Sequence, residues 1–374
     1  MKSMVEFLGA TFLALALTFS AIPTARGERP FKEARPPSLI LTHLITLPNG
    51  SSVTVKTLKG TNSALRYRPL AVGGDHACAI NANHQVICWG SSSWGESGIL
   101  GLWAISFPVS VQGLAGNPIN LAAGESHTCA ILEDGKVQCW GSNYYGQLGT
   151  GSTSDNGQSN PVFVTGLEDK AIDLAAGTNH TCALLSNGHV QCWGLNISGQ
   201  IGKGSISLSE ATPVTVNLPD SATWITAGCD HTCALLEDGR MYCWGWNSYG
   251  QLGIEGNQEE SPAPALVTAV SGRGITIEAG CDHTCAVYQN AQGDNSLTCW
   301  GMDSALPSNA NQEGTFLLIR GGQSHTCILT GDHGVLCWGS NSHGELGDGT
   351  TQNRREPAPV MRLTHDVLYI PPLI

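Results

Sequence analysis

LAAGESHTCAILEDGKVQCWGSNYYGQLG, residues 121–149, is the stretch whose reading decides the fold. Its core recurs six times: GGDHACAINANHQVICWG from Gly73, AGESHTCAILEDGKVQCWG from Ala123 and AGTNHTCALLSNGHVQCWG from Ala176, then AGCDHTCALLEDGRMYCWG from Ala227, AGCDHTCAVYQNAQGDNSLTCWG from Ala279 and GGQSHTCILTGDHGVLCWG from Gly321. The cores begin about 50 residues apart, with a shorter last step, and a period of that size points to a stacked or circular array.

Register within one unit follows from arithmetic. Cys129 and Cys139 stand symmetrically about Asp134. If Glu133-Asp134-Gly135 is a three-residue loop with a left-handed Gly, Leu132 pairs with Lys136. Cys129 then faces Cys139 in a non-hydrogen-bonded pair, where Cα atoms approach to about 4.5 Å, within disulfide range. The same symmetry pairs Cys78 with Cys88, Cys182 with Cys192, Cys233 with Cys243 and Cys327 with Cys337. The four extra residues of the fifth unit preserve facing, so Cys285 meets Cys299.

Alternation puts His127, Cys129, Ile131, Val137 and Cys139 on one face and Thr128, Ala130, Leu132 and Trp140 on the other. Both faces are largely apolar, so the sheet must be covered on both sides. A blade sandwiched between two others meets that need, and hairpins with such short turns exclude a parallel solenoid. Runs starting at Pro161, Pro213 and Pro264 suit an outer edge strand. AIDLAA and ATWITA lead into the next His-x-Cys and complete about four short strands per unit. The expected fold is an all-β propeller over residues 38–374. LILTHLITLPNGSSVTVKTL (residues 39–58) reads as a further hairpin around Pro48-Asn49-Gly50. With the C-terminal PAPVMRLTHDVLYIPPLI it supplies a composite closing blade. Seven blades are favoured, with six blades and an appended hairpin as the alternative.

Composition agrees. Charged residues make up only 13% of the chain while there are 46 glycines, as many short strands with tight turns require. The net charge of −12, without any Lys/Arg cluster, excludes a nucleic-acid surface. Residues 1–27 combine a basic start, an apolar run from Phe7 to Ile22 and small residues at Ala21, Ala25 and Gly27. That is a secretory signal peptide with three candidate cleavage positions, its run being short for a membrane anchor. Residues 28–37 read as a flexible leader, and no later stretch is apolar enough to span a bilayer. The mature protein is expected to be secreted, extracellular or periplasmic, and fourteen cysteines suit an oxidising compartment.

The pattern G-x-x-H-T-x-A-L-x-x-x-G-x-V-x-x-W-G-x-N-x-x-G-Q-L-G resembles the repeat of the regulator of chromosome condensation superfamily. The resemblance is sharpest at His127, Trp140, Gly141, Asn143, Gly146, Gln147, Leu148 and Gly149, and at His231, Trp244, Gly245, Asn247 and Gly250 to Gly253. It covers most of residues 66–361. The first unit departs from it at Ser93-Trp94-Gly95-Glu96, and the fifth lacks the GQLG turn. The family implies a β-propeller, commonly seven-bladed, and the cysteines look like an exported bacterial branch. Founding members exchange nucleotide on a small nuclear GTPase, while others sense ultraviolet light or inhibit secreted β-lactamases. No exchange-factor residue carries over to an exported chain.

The repeated His-x-Cys and second Cys have the chemistry of zinc ligands, but opposed pairs in an exported chain read as disulfides, with no metal and no cofactor. The six histidines (His76, His127, His180, His231, His283, His325) and six Cys-Trp-Gly tryptophans recur once per unit, which marks structural roles. Cys229 and Cys281 share one position in adjacent units and should form an interblade disulfide closing a loop of roughly 50 residues, worth about 4 kcal/mol. No catalytic motif is present. The reading is therefore a non-enzymatic scaffold for an extracytoplasmic protein or surface ligand. Trp94, Trp103, Tyr144, Tyr145, Trp246 and Tyr249 on the variable turns are its contact candidates, unless they merely cover neighbouring turns. The alternatives are a hydrolase or lyase using Asp75, Glu125, Asp230 and Asp282, and, by analogy, an exchange factor.

Overall fold

The computed structural model describes the strands at residues 40–46 and 52–58 and residues 68–360, apart from residues 82 and 102 and short gaps between 303 and 349. The expected signal peptide, leader and C-terminal DVLYI lie outside the described residues. The second unit shows the plan: strands Pro118–Ala123, His127–Leu132, Val137–Asn143 and Ser154–Phe163 form one antiparallel meander in chain order. The structure contains six such four-stranded sheets.

Their first strands (Leu70–Val72, Pro118–Ala123, Ala171–Ala176, Ala222–Ala227, Arg273–Ala279 and Phe316–Gly321) lie side by side in sequence, so they surround the axis of a propeller. The register matches the arithmetic. Leu132 N donates to Lys136 O at 2.9 Å, Gly135 has φ +83°, and Cys129 pairs with Cys139. Seven disulfides are present: Cys78–Cys88, Cys129–Cys139, Cys182–Cys192, Cys233–Cys243, Cys285–Cys299, Cys327–Cys337 and, between blades four and five, Cys229–Cys281. No free cysteine remains among the described residues. Such a set belongs to an oxidising environment. Among the described residues no helix is long and apolar enough to cross a membrane.

Both faces of each blade are buried, as the apolar pattern demands. Cys129, Ile131 and Val137 of blade two pack on Leu174, Ala183 and Trp193 of blade three. On the other side Leu121, Ala130 and Trp140 pack on Cys78, Val86 and Cys88 of blade one.

One expectation changes. The prolines at 161, 213 and 264 do not open their strands; these begin at Ser154, Ser209 and Glu260. Pairing with the third strand breaks register just before each proline, so a residue lacking N–H sits at an irregularity of the outermost strand. Against the favoured seven blades, the described residues form six four-stranded ones, and the C-terminal part of the composite closing blade lies outside them. Ile40–Thr46 and Ser52–Leu58 form the expected hairpin, but as a separate two-stranded sheet. Spacing within a repeat says nothing about whether chain ends complete another copy.

Candidate binding face

Each blade is stitched to the next by one hydrogen-bond relay. His127 Nε2 lies 2.9 Å from Thr181 Oγ1, and Thr181 Oγ1 donates to Gln147 O at 3.0 Å. Because the hydroxyl proton goes to the carbonyl, the imidazole donates through Nε2–H. Trp193 Nε1 donates to the same carbonyl at 2.8 Å. The whole relay repeats in His76–Thr128, His180–Thr232 and His231–Thr284, and its histidine–threonine contact in His283–Thr326. Burial of these imidazoles lowers their pKa values, to about 3 for His127, His180 and His231 and about 4 for His283, so all four are neutral at pH 7. Gly124 beside the relay has no room to vary: a Cβ there would stand 2.2 Å from His127 Cε1 and 2.4 Å from Gly177 O. In the divergent first unit Glu96 replaces the glutamine. It accepts from Ser91 Oγ at 2.6 Å and Trp94 N at 2.8 Å, while its own carbonyl receives Trp140 Nε1 at 2.8 Å.

These shared residues are buried, and the aromatic and acidic candidates are gathered at one end of the propeller. The segments before the histidines form a belt around the axis: Gly74 N donates to Gly124 O, Glu125 N to Thr178 O, Thr178 N to Cys229 O and Cys229 N to Cys281 O. The Cys229–Cys281 disulfide locks its last step. Asp75 and Glu125 are exposed on this mouth, and Asp230 and Asp282 are half-buried. Gln200 Nε2 donates to Asp230 Oδ1 at 3.0 Å. Burial pushes the Asp230 carboxyl up, opposed by the Gln200 hydrogen bond and reinforced by the charges of Asp282 and Glu125; burial also raises that of Asp282.

The loops joining third to fourth strands emerge at the same end, and they carry every aromatic contact candidate. Trp94 is 38% exposed, Trp103 87%, Tyr144 52% and Tyr249 46%, whereas Tyr145 and Trp246 are half-buried. Tyr144 meets Tyr145 edge-on with ring centroids 4.8 Å apart, and Trp246 meets Tyr249 at 5.2 Å. Tyr145 and Trp246 thus support more exposed partners. Their loops are braced from beneath: Gln147 Oε1 accepts from Tyr145 N at 2.9 Å, and Gln251 Oε1 from Tyr249 N at 3.0 Å.

Sequence reasoning missed the other end of the axis. Arg68, just before blade one, reaches Asp173 Oδ2 of blade three at 3.4 Å and Ile225 O of blade four at 3.3 Å, with its guanidinium 4.6 Å from the Trp224 ring centroid. Asn120 Nδ2 donates to Asp173 Oδ1 at 3.2 Å. Asn120, Asp173 and Trp224 share one repeat position, so the signal was their disagreement within PINLAA, AIDLAA and ATWITA. Among the described residues no group of three or more His, Cys, Asp or Glu is placed to hold a metal ion.

A disulfide-stapled propeller with a rigid frame and variable loops is the class these features define. The model of the RCC1-like domain matches residues 47–306, and that of the regulator of chromosome condensation (RCC1) repeat matches 319–345. The chain belongs to the RCC1-like family. It is 30% identical to the ultraviolet-B receptor UVR8 of Arabidopsis thaliana over 307 residues, 78% of this chain and 69% of that protein. It is 28% identical to the human E3 ubiquitin-protein ligase HERC2 over 84% of this chain, but spans only 7% of that protein's length. Among solved structures, human WBSCR16 superposes with a TM-score of 0.72 at 19% identity, covering 84% of this chain and 86% of that one. Yeast RCC1 (Prp20), seen bound to Kap60, gives 0.67 at 21% identity over 78% and 74%. These two likenesses concern the fold.

Proposed function

We propose that this protein is an exported, non-enzymatic scaffold that binds an extracytoplasmic protein or surface ligand through the loops at the mouth end. The observation that carries this reading is the segregation of residues. The residues the repeats share go into burial and interblade hydrogen bonds, while four of the five exposed aromatics among the described residues, all but Phe163, lie on loops that differ between blades and leave from one end. Aromatic side chains on a rigid frame contribute large contact area at small entropic cost. Export is supported by the signal-like residues 1–27 and by the complete pairing of the described cysteines. Catalysis from the axis has less support: Arg68, Asn120, Asp173 and Trp224 contact one another there. The test is an affinity capture from envelope and culture fluid with the wild-type protein and a Trp246→Ala/Tyr249→Ala variant. The reading expects a specific partner that the variant loses. Equal capture by both, or turnover of a glycan with nothing captured, sinks it.

A further inference from the structure

Blades one to five carry few positive charges, and these are unevenly placed. Between residues 69 and 302 the only Lys and Arg residues are Lys136, Lys170, Lys203, Arg240 and Arg273. Four of them cluster at the hairpin-turn end. Lys136 and Arg240 follow the turns, the Lys170 side chain lies against Gly135, and that of Arg273 against Gly239. There they meet acids directly, as in Lys136–Asp134 at 2.7 Å and Arg240–Asp238 at 2.5 Å. Of these five only Lys203 stands at the mouth end, paired with Glu210, while in blade six Arg354 pairs with Asp348 and Arg355 is exposed beside it.

The mouth acids are left without such partners: among the described residues no Lys or Arg pairs with Asp75, Glu125, Asp230 or Asp282. Glu255 and Glu259 add exposed acids on the Trp246–Tyr249 loop. A second feature marks the same place. Gln251 is fully buried and its Nε2 has no hydrogen-bond partner. Its Oε1 is held by Tyr249 N just as the Gln200 Oε1 is held by Ser198 N, and Asp282 occupies in blade five the repeat position of Asp230, which accepts from Gln200 Nε2. A buried donor beside an acid suits a ligand that presents a carbonyl acceptor and a cation together, and a polypeptide with Lys or Arg side chains does so.

We infer that the mouth face docks a basic polypeptide segment, its Lys or Arg side chains on Glu125, Asp230 and Asp282 and its apolar positions on Tyr144 and Tyr249. This rests on the scaffold reading and names the chemistry of its partner. Charge complementarity on a preformed ring favours rapid, selective encounter, and the disulfide-locked belt keeps the acids in place before binding.

The test is fluorescence anisotropy of a labelled peptide of alternating Gly and Arg, beside a matched Gly/Glu peptide, at low and high salt. The full chain should bind the basic peptide alone, more weakly at high salt. The Glu125→Gln/Asp230→Asn/Asp282→Asn variant should bind about tenfold more weakly. Glu125→Lys, which alters one exposed residue, should also weaken binding, so a folding defect of the triple variant leaves the test intact. Asp134→Asn/Asp169→Asn/Asp238→Asn, with the same charge change at the opposite end, should leave affinity unaltered. No binding of the basic peptide, equal binding by the mouth variants, or preference for the acidic peptide overturns the inference. So does a dimer in light scattering that the triple variant abolishes, since that places a second copy on this face. Capture of a partner that needs Trp246 and Tyr249 but ignores the mouth acids would overturn this inference while leaving the scaffold reading standing.

Discussion

A single hydroxyl shows how much each relay depends on its geometry. Thr181 is completely buried, accepts from His127 and donates to Gln147 O. Thr181→Val keeps the shape but strands an imidazole N–H away from water, which costs about 1–3 kcal/mol. Thr181→Ser should recover most of that loss, and urea unfolding of the two variants measures the difference. Proton uptake gives the second prediction at this scale. The folded pKa values of His127, His180, His231 and His283 lie below the ordinary 6.5, so the unfolded chain binds protons first as pH falls. Their contribution to stability is complete above about pH 6.5 and is lost as pH drops toward 3–4. Each histidine adds up to about 1.4 kcal/mol per pH unit inside that window. Unfolding midpoints should therefore fall steeply from pH 6.5 to 4.5 and stay nearly level from 6.5 to 8. A flat profile across the acid range would contradict neutral burial.

At the scale of the element, the hairpin was legible because its turn fixes its pairing. Cys129, Asp134, Gly135 and Cys139 contain enough arithmetic to set the register. The neighbour-facing sides of each blade were legible too, since alternation sorted Cys129 from Thr128 without coordinates. The outer strands were not, because their extent depends on where Pro161, Pro213 and Pro264 break an irregular ladder and not on any period. Nor could spacing show that Arg68 reaches Asp173, a contact across the axis between residues far apart in the chain. The mouth face was half legible. The aromatics stood out as variation among repeats, but that the four acids share one end with them follows only from the belt of backbone hydrogen bonds. The staples yield a prediction of their own. Cys129→Ala/Cys139→Ala releases a loop of sequence separation 10, and Cys229→Ser/Cys281→Ser one of 52. Chain entropy puts these losses at about 3 and about 4 kcal/mol. Thermal melts of the two variants should show the interblade pair costing more, although it lies outside the packed hairpins.

At the scale of the whole molecule, the blades are nearly interchangeable except where the array begins. Leu121, Leu174, Ile225 and Ile277 occupy one repeat position and are at most 1% exposed, each buried by the blade before it. Leu70 is their counterpart in blade one and is 55% exposed, with Val72 beside it at 70%. Ala77 stands where Thr128, Thr181, Thr232, Thr284 and Thr326 receive the histidine of the preceding blade. Blade one therefore carries no relay acceptor toward blade six, yet its open face is apolar, unlike the polar caps that end a linear array. Such a face fits a closing unit of different sequence, and the segments at hand are the Ile40–Leu58 hairpin and the chain beyond Pro359. Closure by both ends predicts that deleting residues 38–60 lowers the melting temperature. Leu70→Asp should cost about 2 kcal/mol, the scale of a buried leucine, and the deletion and the substitution together should cost little more than the deletion alone. A Leu70→Asp chain as stable as the parent would make that face a solvent-exposed end, and the molecule an open array of six blades.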